Sequence, residues 1–420
     1  MVASASTPMR WSSALSTRPS LEAAIAEVAT RAKQDLAGAS LDLGILFISA
    51  AFTSEFPRVL PLLHDYLDLP ALIGCAGGGI IGRATTGKTQ EIESAPALAL
   101  TLAHLPGVKV KTFHIEAAAL PDLDSPPNTW VDLTGIDPAD RPQFILLADP
   151  GSARVTDLLQ GLDFAYPQSV KLGGLASGGG MMVEGSGLFC DRRLYSEGTV
   201  GVALSGAIQV DAIVAQGCRP IGHLYRVTEG RRNILLEVQG LDETGEQAVT
   251  AAQSPLAALQ SVVQGLNEAD RQLAQHSLFI GVARNEFQTT LEHGDFLIRN
   301  LLGVDPRVGA IAIGDRVRPG QRIQFHLRDA HTSAEDLEVL LQRYQRTQQS
   351  HSQPVGALMF ACLGRGEGLY QQPNFDSQLF RRYLGDVPLS GFFCNGEIGP
   401  IGDSTFLHGY TSVFGIFREP

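Results

Sequence analysis

A chain of 420 residues, 44% hydrophobic and 18% charged, is too long for one core and has the composition of a two-domain globular protein. Its net charge of −12, with no offsetting cluster of lysine and arginine, argues against nucleic acid and anionic membrane as partners, because binding either begins by neutralising phosphate. No apolar stretch approaches the roughly 20 residues that span a bilayer, and the polar opening MVASASTPMRWSSALSTRPS lacks the apolar segment of a secretory signal.

Residues 1–18 are therefore expected to form a loose tail. The apolar run GILFISA, from Gly44, predicts a buried strand. FPRVLPLLHDYLDLP follows, with Val59, Leu60, Leu63 and Leu67 at helical spacing, and LIGCAGGG is a short strand running into glycines. After a polar loop, PALALTLAHL alternates with period two, as a strand with one covered face does. The same order returns from Phe144: the strand FILLADPG, the helix VTDLLQGL, the turn KLGGLASGGG, a polar loop and the alternating strand GTVGVALSGAIQV.

The segment Leu241–Ser254 is polar and poor in strand formers, and a domain boundary is expected there, giving domains 19–240 and 241–420. PLAALQSVVQGLNEADRQLA reads as helix. SLFIGVA, DFLIRNLLGVD, GAIAIGD and QRIQFHLRD read as four strands, with Pro319-Gly320 at one turn. SAEDLEVLLQRYQR predicts a helix capped by Ser333, with Asp336 in the capping-box place and Leu337, Leu340 and Leu341 as its apolar stripe. A third copy of the unit closes the chain as GALMFACLGRG, FDSQLFRRYLGDVP, SGFFCNGEIGPIG and GYTSVFGIF. The fold class is mixed α/β (α+β): two domains of repeated strand-helix-strand-turn-strand units, in mixed sheets flanked by helices.

Two nucleotide-type patterns overlap in the first unit. Gly77 to Gly82 satisfies GxGxxG, and GRATTGKT (Gly82 to Thr89) satisfies the P-loop pattern. A P-loop requires a helix N-terminus after its lysine. Here Pro96 and an alternating run follow, and neither other copy has GK[ST], so a surface loop is the better reading. The five cysteines (Cys75, Cys190, Cys218, Cys362, Cys394) are odd in number and widely spaced, without a CxxC pair. A disulfide framework and a zinc site are not expected, and the thiols read as those of a reduced, cytoplasmic protein. Cys75, Cys362 and Cys394 lie at strand ends, where a nucleophile would need a base such as His64, His104, His293, His326 or His408. Nothing in the sequence places one beside them, and Ser177 lacks the GxSxG elbow.

The glycine turns CAGGG, LASGGG and CNGEIG are the better site candidates, because glycine permits close backbone approach by a ligand. Glu397 is a lone acid among apolar residues, suited to a ligand ammonium or to local backbone amides. Arg365 offers a bidentate fork to a ligand carboxylate, or is a loop arginine. Arg299, Asn300, Arg328 and Asp329 read as internal ion pairs or sheet ends. The expected ligand-binding set is Cys75, Gly77, Gly174, Ser177, Cys362, Arg365, Cys394, Asn395 and Glu397, with no catalytic residue, metal or cofactor.

GALMFACLGRGEGLY, FDSQLFRRYLGDVPLSGFFCNGEIGPIG and FLHGYTSVFGIF together resemble the C-terminal domain of FIST proteins, and FLIRNLLGVD, GAIAIGD and IQFHLRDA resemble its start. PALIGCAGGGIIG, KLGGLASGGG and EGTVGVALSG resemble the family's N-terminal domain, so the likeness covers nearly everything after the tail. The resemblance implies a sensory module that binds a small ligand, amino acids among the proposed classes. FIST domains accompany kinase, chemotaxis-receptor and cyclic-dinucleotide output domains, and a relative occurs in F-box proteins. This chain shows both halves and no recognisable output segment, so it is expected to signal through a partner protein. A cysteine enzyme and a ligand-free interaction scaffold are the alternatives.

Overall fold

The computed structural model describes residues 8–152, 154–178, 187–242, 245, 247–284, 291, 295–348 and 351–420. Strand β1 (Arg10–Ser16) and helix α1 (Leu21–Asp35) lead to β2 (Leu43–Ser49), α2 (Phe56–Tyr66), β3 (Leu72–Gly77), the hairpin β4 (Ile80–Arg83) and β5 (Thr89–Ile92), and β6 (Leu98–His104). The order then recurs as β7 (Val108–Ile115), α3 (Pro127–Thr134), β8 (Gln143–Ala148), α4 (Val155–Ala165), β9 (Lys171–Leu175), the hairpin β10 (Leu188–Cys190) and β11 (Arg193–Tyr195), and β12 (Thr199–Gly206). A third round opens with β13 (Gln209–Ala215) and is interrupted. The interruption holds β14 (Arg219–Arg231), β15 (Ile234–Leu241), β16 (Ala248–Gln253), α5 (Pro255–Gly265), α6 (Glu268–Ala274), β17 (Leu278–Ala283), β18 (Phe296–Asp305), β19 (Ala310–Ile313) and β20 (Arg322–Leu327). It resumes with α7 (Ala330–Gln348), β21 (Pro354–Cys362), α8 (Gly366–Tyr370), α9 (Phe375–Leu384), β22 (Leu389–Cys394), the hairpin β23 (Glu397–Ile401) and β24 (Ser404–His408), and β25 (Ser412–Arg418).

Two compact units result: Met1–Ala215 with Glu338–Pro420, and Gln216–Leu337. In the larger unit each repeat builds one sheet with the same internal order. A parallel pair (β2 with β3, β8 with β9, β21 with β22) is flanked by an antiparallel closing strand (β6, β12, β25) and an edge strand (β1, β7, β13). The fifth and sixth strands come from another repeat. Hairpin β4–β5 of the first repeat joins β22 of the third, β10–β11 of the second joins β3 of the first, and β23–β24 of the third joins β9 of the second. The exchange is cyclic, so no repeat completes its own sheet.

Burial follows from this arrangement. Ile45 and Phe47, Ile145 and Leu147, and Leu358 and Phe360 turn one face of each sheet into a shared core, where the rings of Phe47, Phe360 and Phe392 lie 5.0–6.4 Å apart. The opposite faces are covered by helices: α1 and α2 pack on Leu46 and Ile48, α3 and α4 on Phe144 and Leu146, and Phe380 of α9 stacks on Phe414 at 5.2 Å. Strand β6 corrects the expectation of one covered face, because all seven of its residues are buried. Its alternation is one of size: Ala99 and Ala103 meet the shared core, while Leu98, Leu100 and Leu102 meet the helices.

The smaller unit is an antiparallel barrel of β14, β20, β17, β18, β19 and β15, closed by pairing of β14 with β15, with β16 added outside. Its interior holds Tyr225, Val227, Ile280, Ile311, Ile323 and Phe325, and α5 contributes Ala258 and Val262. The four strands expected here all form. Arg299 pairs with Asp315 at 2.7 Å, in line with an internal ion pair.

Three expectations change, and the boundary near 241–254 is set beside a different division by contacts. Residues 10–16 are a buried strand paired with β6, so the tail does not extend to residue 18. The segment around 241–254 contains β16, and residues 240 and 241 both lie within β15; by contacts the units part at 215/216 and 337/338. GTVGVALSGAIQV is two strands in different sheets, broken at Gly206 (φ +101°). The helix expected from Ser333 begins at Ala330, with Asp329 accepting from Thr332 N (2.7 Å); buried Ser333 instead donates to the Gly217 carbonyl (3.0 Å).

The cyclic exchange predicts that residues 42–241 expressed alone will not fold. They lack β22 to receive β4–β5 and β23–β24 to complete the second sheet. The expected result is no cooperative thermal transition and no near-UV circular dichroism; a sharp transition would show that the repeats fold independently.

Candidate functional site

The three glycine turns, far apart in sequence, meet where the exchanged hairpins leave their own repeats. The equivalences follow from register. Gly74, Gly173 and Gly391 face Leu46, Leu146 and Met359 across the parallel pairs, so Gly78, Ser177 and Asn395 occupy one position in three repeats. Two residues before it, Ala76 N donates to Gly187 O (3.0 Å), Leu175 N to Gly396 O (2.8 Å) and Phe393 N to Gly79 O (2.9 Å). Ser177 N then donates to Ala76 O (3.0 Å) and Asn395 N to Leu175 O (3.1 Å). The third bond of this ring is made by a side chain: Ser177 Oγ accepts from Gly78 N (2.8 Å) and donates to Phe393 O. One hydroxyl therefore joins all three repeats.

The sequence-expected residues are distributed around this ring. Gly77 ends β3, and Gly174 faces Glu397 across the β9–β23 ladder. A Cβ at Gly174 would collide with Cys394 Sγ, and one at Gly178 (φ +100°) would lie 2.9 Å from Gly77 O, so close approach requires glycine at both. Cys75 and Cys394 are fully buried, and Cys362 lies opposite Cys394 in the parallel ladder. Burial pushes the Cys75 thiol well up; burial followed by the Glu397 charge does the same to Cys394. Neither is poised as a thiolate. His104 is engaged with Ser40 (3.0 Å) and Asp42 (3.2 Å), and His408 with Gly399 O (3.0 Å). His326 belongs to the barrel unit. His293 and the last two glycines of LASGGG lie outside the described residues. Asn395 is the exposed polar side chain of the ring.

Glu397 and Arg365 are buried and engaged with protein groups. Glu397 is 0% exposed and accepts from Thr411 N (3.0 Å), the backbone-amide role that the sequence left open. Arg365, 1% exposed, spends its fork on Asp376 (Nε to Oδ2 2.8 Å, Nη2 to Oδ1 3.1 Å), donates to Tyr370 OH and stacks 5.6 Å from the Tyr370 ring. Neither expectation for Arg365, a ligand-facing fork or an exposed loop arginine, describes it. Burial drives the Tyr370 hydroxyl up, which keeps it neutral.

Sequence reasoning missed Glu91. It lies on β5 at the position that Leu194 and Leu407 hold in the other two hairpins, as the registers Ile81–Glu91, Phe189–Leu194 and Ile398–Leu407 show. Glu91 is buried; Oε1 accepts from Ser377 N (2.7 Å), and Oε2 has no hydrogen-bond partner among the described residues. Burial, reinforced by the Asp376 charge, raises its pKa to about 7. The signal was present as an acid inside TQEI, but only the hairpin register makes it a core position. GRATTGKT, expected as a surface loop, forms the β4–β5 hairpin; a strand, not a helix, follows Lys88, which removes the P-loop geometry. Among the described residues, no group of three or more His, Cys, Asp or Glu could hold a metal, and no helix is long and apolar enough to cross a membrane.

Comparison with known proteins shows the family. The FIST N domain matches residues 42–241 and the FIST C domain residues 255–400. An uncharacterized protein of Mycobacterium tuberculosis is 34% identical over 98% of this chain and 100% of its own length. A second, from Mycobacterium bovis, is 33% identical over 98% of this chain and 99% of its own. F-box only protein 22 of Homo sapiens is 30% identical over 24% of this chain and 29% of its own length. The chain belongs to the FIST family, whose domains are associated with sensing and signal transduction and not with catalysis.

Two outcomes follow for the buried charges. Arg365→Ala leaves Asp376 buried without its cation beside Glu91, and should lower the unfolding free energy by about 3–5 kcal/mol in urea titration; a loss under about 1 kcal/mol would mean that water replaces the guanidinium. Glu91 binds its proton more tightly folded than unfolded, so its stabilising effect is complete below pH 4.5 and declines up to about pH 7, by at most about 3 kcal/mol. Glu91→Gln should flatten that decline in denaturation midpoints measured across the interval. Superimposable parent and variant profiles would show that Glu91 ionises normally.

Proposed function

We propose that this protein is a stand-alone sensor that binds a small ligand at the ring of glycine turns and signals through a partner protein. The observation that carries the reading is the closure of the ring by Ser177. Backbone from three repeats converges on one hydroxyl, so a molecule contacting this point bears on all three sheets at once. The glycines and the exposed Asn395 offer peptide groups and an amide rather than a nucleophile with its base. Family membership supports the same direction. Amino acids are the first class to test, as the FIST resemblance implies, but Arg365 and Glu397 are not their anchors in this reading, since both serve the fold.

A thermal-shift screen of the purified chain against amino acids and common metabolites tests it. A site filled to a hundred times its dissociation constant stabilises the fold by about 2.7 kcal/mol, and one chemical class should produce such a saturable shift. Ser177→Ala deprives Gly78 N and Phe393 O of their bridge and should weaken the response relative to a surface control. A flat response across the panel, with a stable partner recovered in the absence of ligand, would replace the sensor by an interaction scaffold.

A further inference from the structure

The exchange of hairpins creates three equivalent seams, each between a hairpin and the helix of the repeat that receives it: β11 against α2, β24 against α4, and β5 against α9. The β24 seam is bonded shut. Thr405 donates to Asp163 through its amide (2.6 Å) and hydroxyl (2.8 Å), and buried Lys171 pairs with Asp163 at 2.9 Å. Register places Thr89 of β5 where Thr405 lies in β24, two residues before Glu91 and Leu407 respectively. Counting back from the following strand, Arg381 on α9 takes the place of Asp163 on α4, and Leu389 that of Lys171.

The acid that closes one seam is thus an arginine in another, and there the seam is open. A groove of about 540 Å³ runs between β5 and α9, lined by Lys88, Thr89, Ser377, Gln378, Arg381 and Arg382. Arg83 and Asp386 line the adjoining recess. The cations are not locked in place. Arg381 reaches exposed Asp386 at 2.8 Å, and Arg382 reaches Glu338 at 3.6 Å while its own side chain is 68% exposed, pairs that contribute little and exchange readily. Three exposed cations, two hydroxyls and the amides of Gln90, Asn374 and Gln378 in a groove of ligand size form a receptor for clustered negative oxygen. In a chain of net charge −12 this is a local reversal of sign.

We infer that the groove between β5 and α9 binds a small molecule bearing phosphate or clustered carboxylate groups. It does so through side chains of a hairpin tip facing a helix of another repeat, without the backbone cradle of a P-loop. The inference is independent of the ligand proposed for the ring of turns. Calorimetric titration of the full chain with pyrophosphate, and separately with citrate, tests it. The expected result is saturable binding that weakens with added salt and falls at least about tenfold in Lys88→Glu/Arg382→Glu, about the loss of one charge-assisted bond. The double variant should melt like the parent without anion, both side chains being exposed, and Arg307→Glu, on the barrel unit, should bind normally. Binding of pyrophosphate alone assigns phosphate, and binding of citrate alone assigns carboxylate. No saturable binding of either anion at millimolar concentration, or an equal loss in Arg307→Glu, would overturn the inference.

Discussion

All three repeats of the larger unit meet at the bridge made by Ser177. Three repeats related by cyclic exchange must send their chains past one another at a single crowded point. Backbone amides there cannot remain unsatisfied without a cost of about 1–3 kcal/mol each. Two of the three turn amides reach a carbonyl of the neighbouring repeat directly, and the third is served by the Ser177 hydroxyl, which donates onward to Phe393 O. Replacing a backbone bond with a side-chain bridge makes the ring asymmetric. Gly78 keeps no side chain, Ser177 supplies the bridge and Asn395 faces solvent. The three repeats therefore share a frame while presenting different chemistry at the same register.

The exchange also explains why the unit cannot be assembled piecemeal. Each parallel pair has an edge that only another repeat's hairpin covers, so an isolated repeat would expose unpaired strand. The barrel unit enters the third repeat between β13 and α7, and the larger unit's two segments, before and after it, share the sheet that contains β13 and β25. Insertion at that point leaves the strand order of the third repeat intact. The sequence families divide the chain linearly, at 241 and 255, whereas the contacts divide it by insertion. Both descriptions hold, one for inheritance and one for packing.

Much of this was legible in the residues. GILFISA, FILLADPG and GALMFACLGRG announce the first strands, and their following helices and glycine turns establish that a unit is repeated. What the sequence could not convey was non-local. The polar stretches after the turns read as loops because hairpins paired with a distant repeat carry little hydrophobic signal of their own. The edge strand β1 was taken for a tail because RWSSALS mixes serine with apolar residues, yet its serines bond inside the sheet stack, Ser13 Oγ reaching Leu389 O at 2.8 Å. Of the site residues, those in the turns were found because glycine marks a turn. Arg365 was misread and Glu91 unseen, since their character depends on burial by partners 11 and 286 residues away.

Threefold symmetry is most informative where it fails. At the positions compared here the other repeats use Leu194, Leu407 and the bonded pair Thr405–Asp163; the β5–α9 seam places Glu91, Arg381 and, nearby, Arg365 with Asp376. Packing alone does not require this, because the same frame is satisfied elsewhere by leucine and by one acid. Charges at a core position cost several kcal/mol unless paired; here Arg365 pairs with Asp376 within the third repeat, while Glu91 of the first is held by the Ser377 amide and its carboxyl pKa is raised to about 7. Ser377 links the two sides: its amide holds Glu91, and the residue lines the cationic groove. Lys88 and Thr89 of that groove and Glu91 behind it belong to the β4–β5 hairpin, which directly follows Gly78 and Gly79 of the ring. Among the repeats of this molecule, that seam is where clustered charge and the shared frame come into contact.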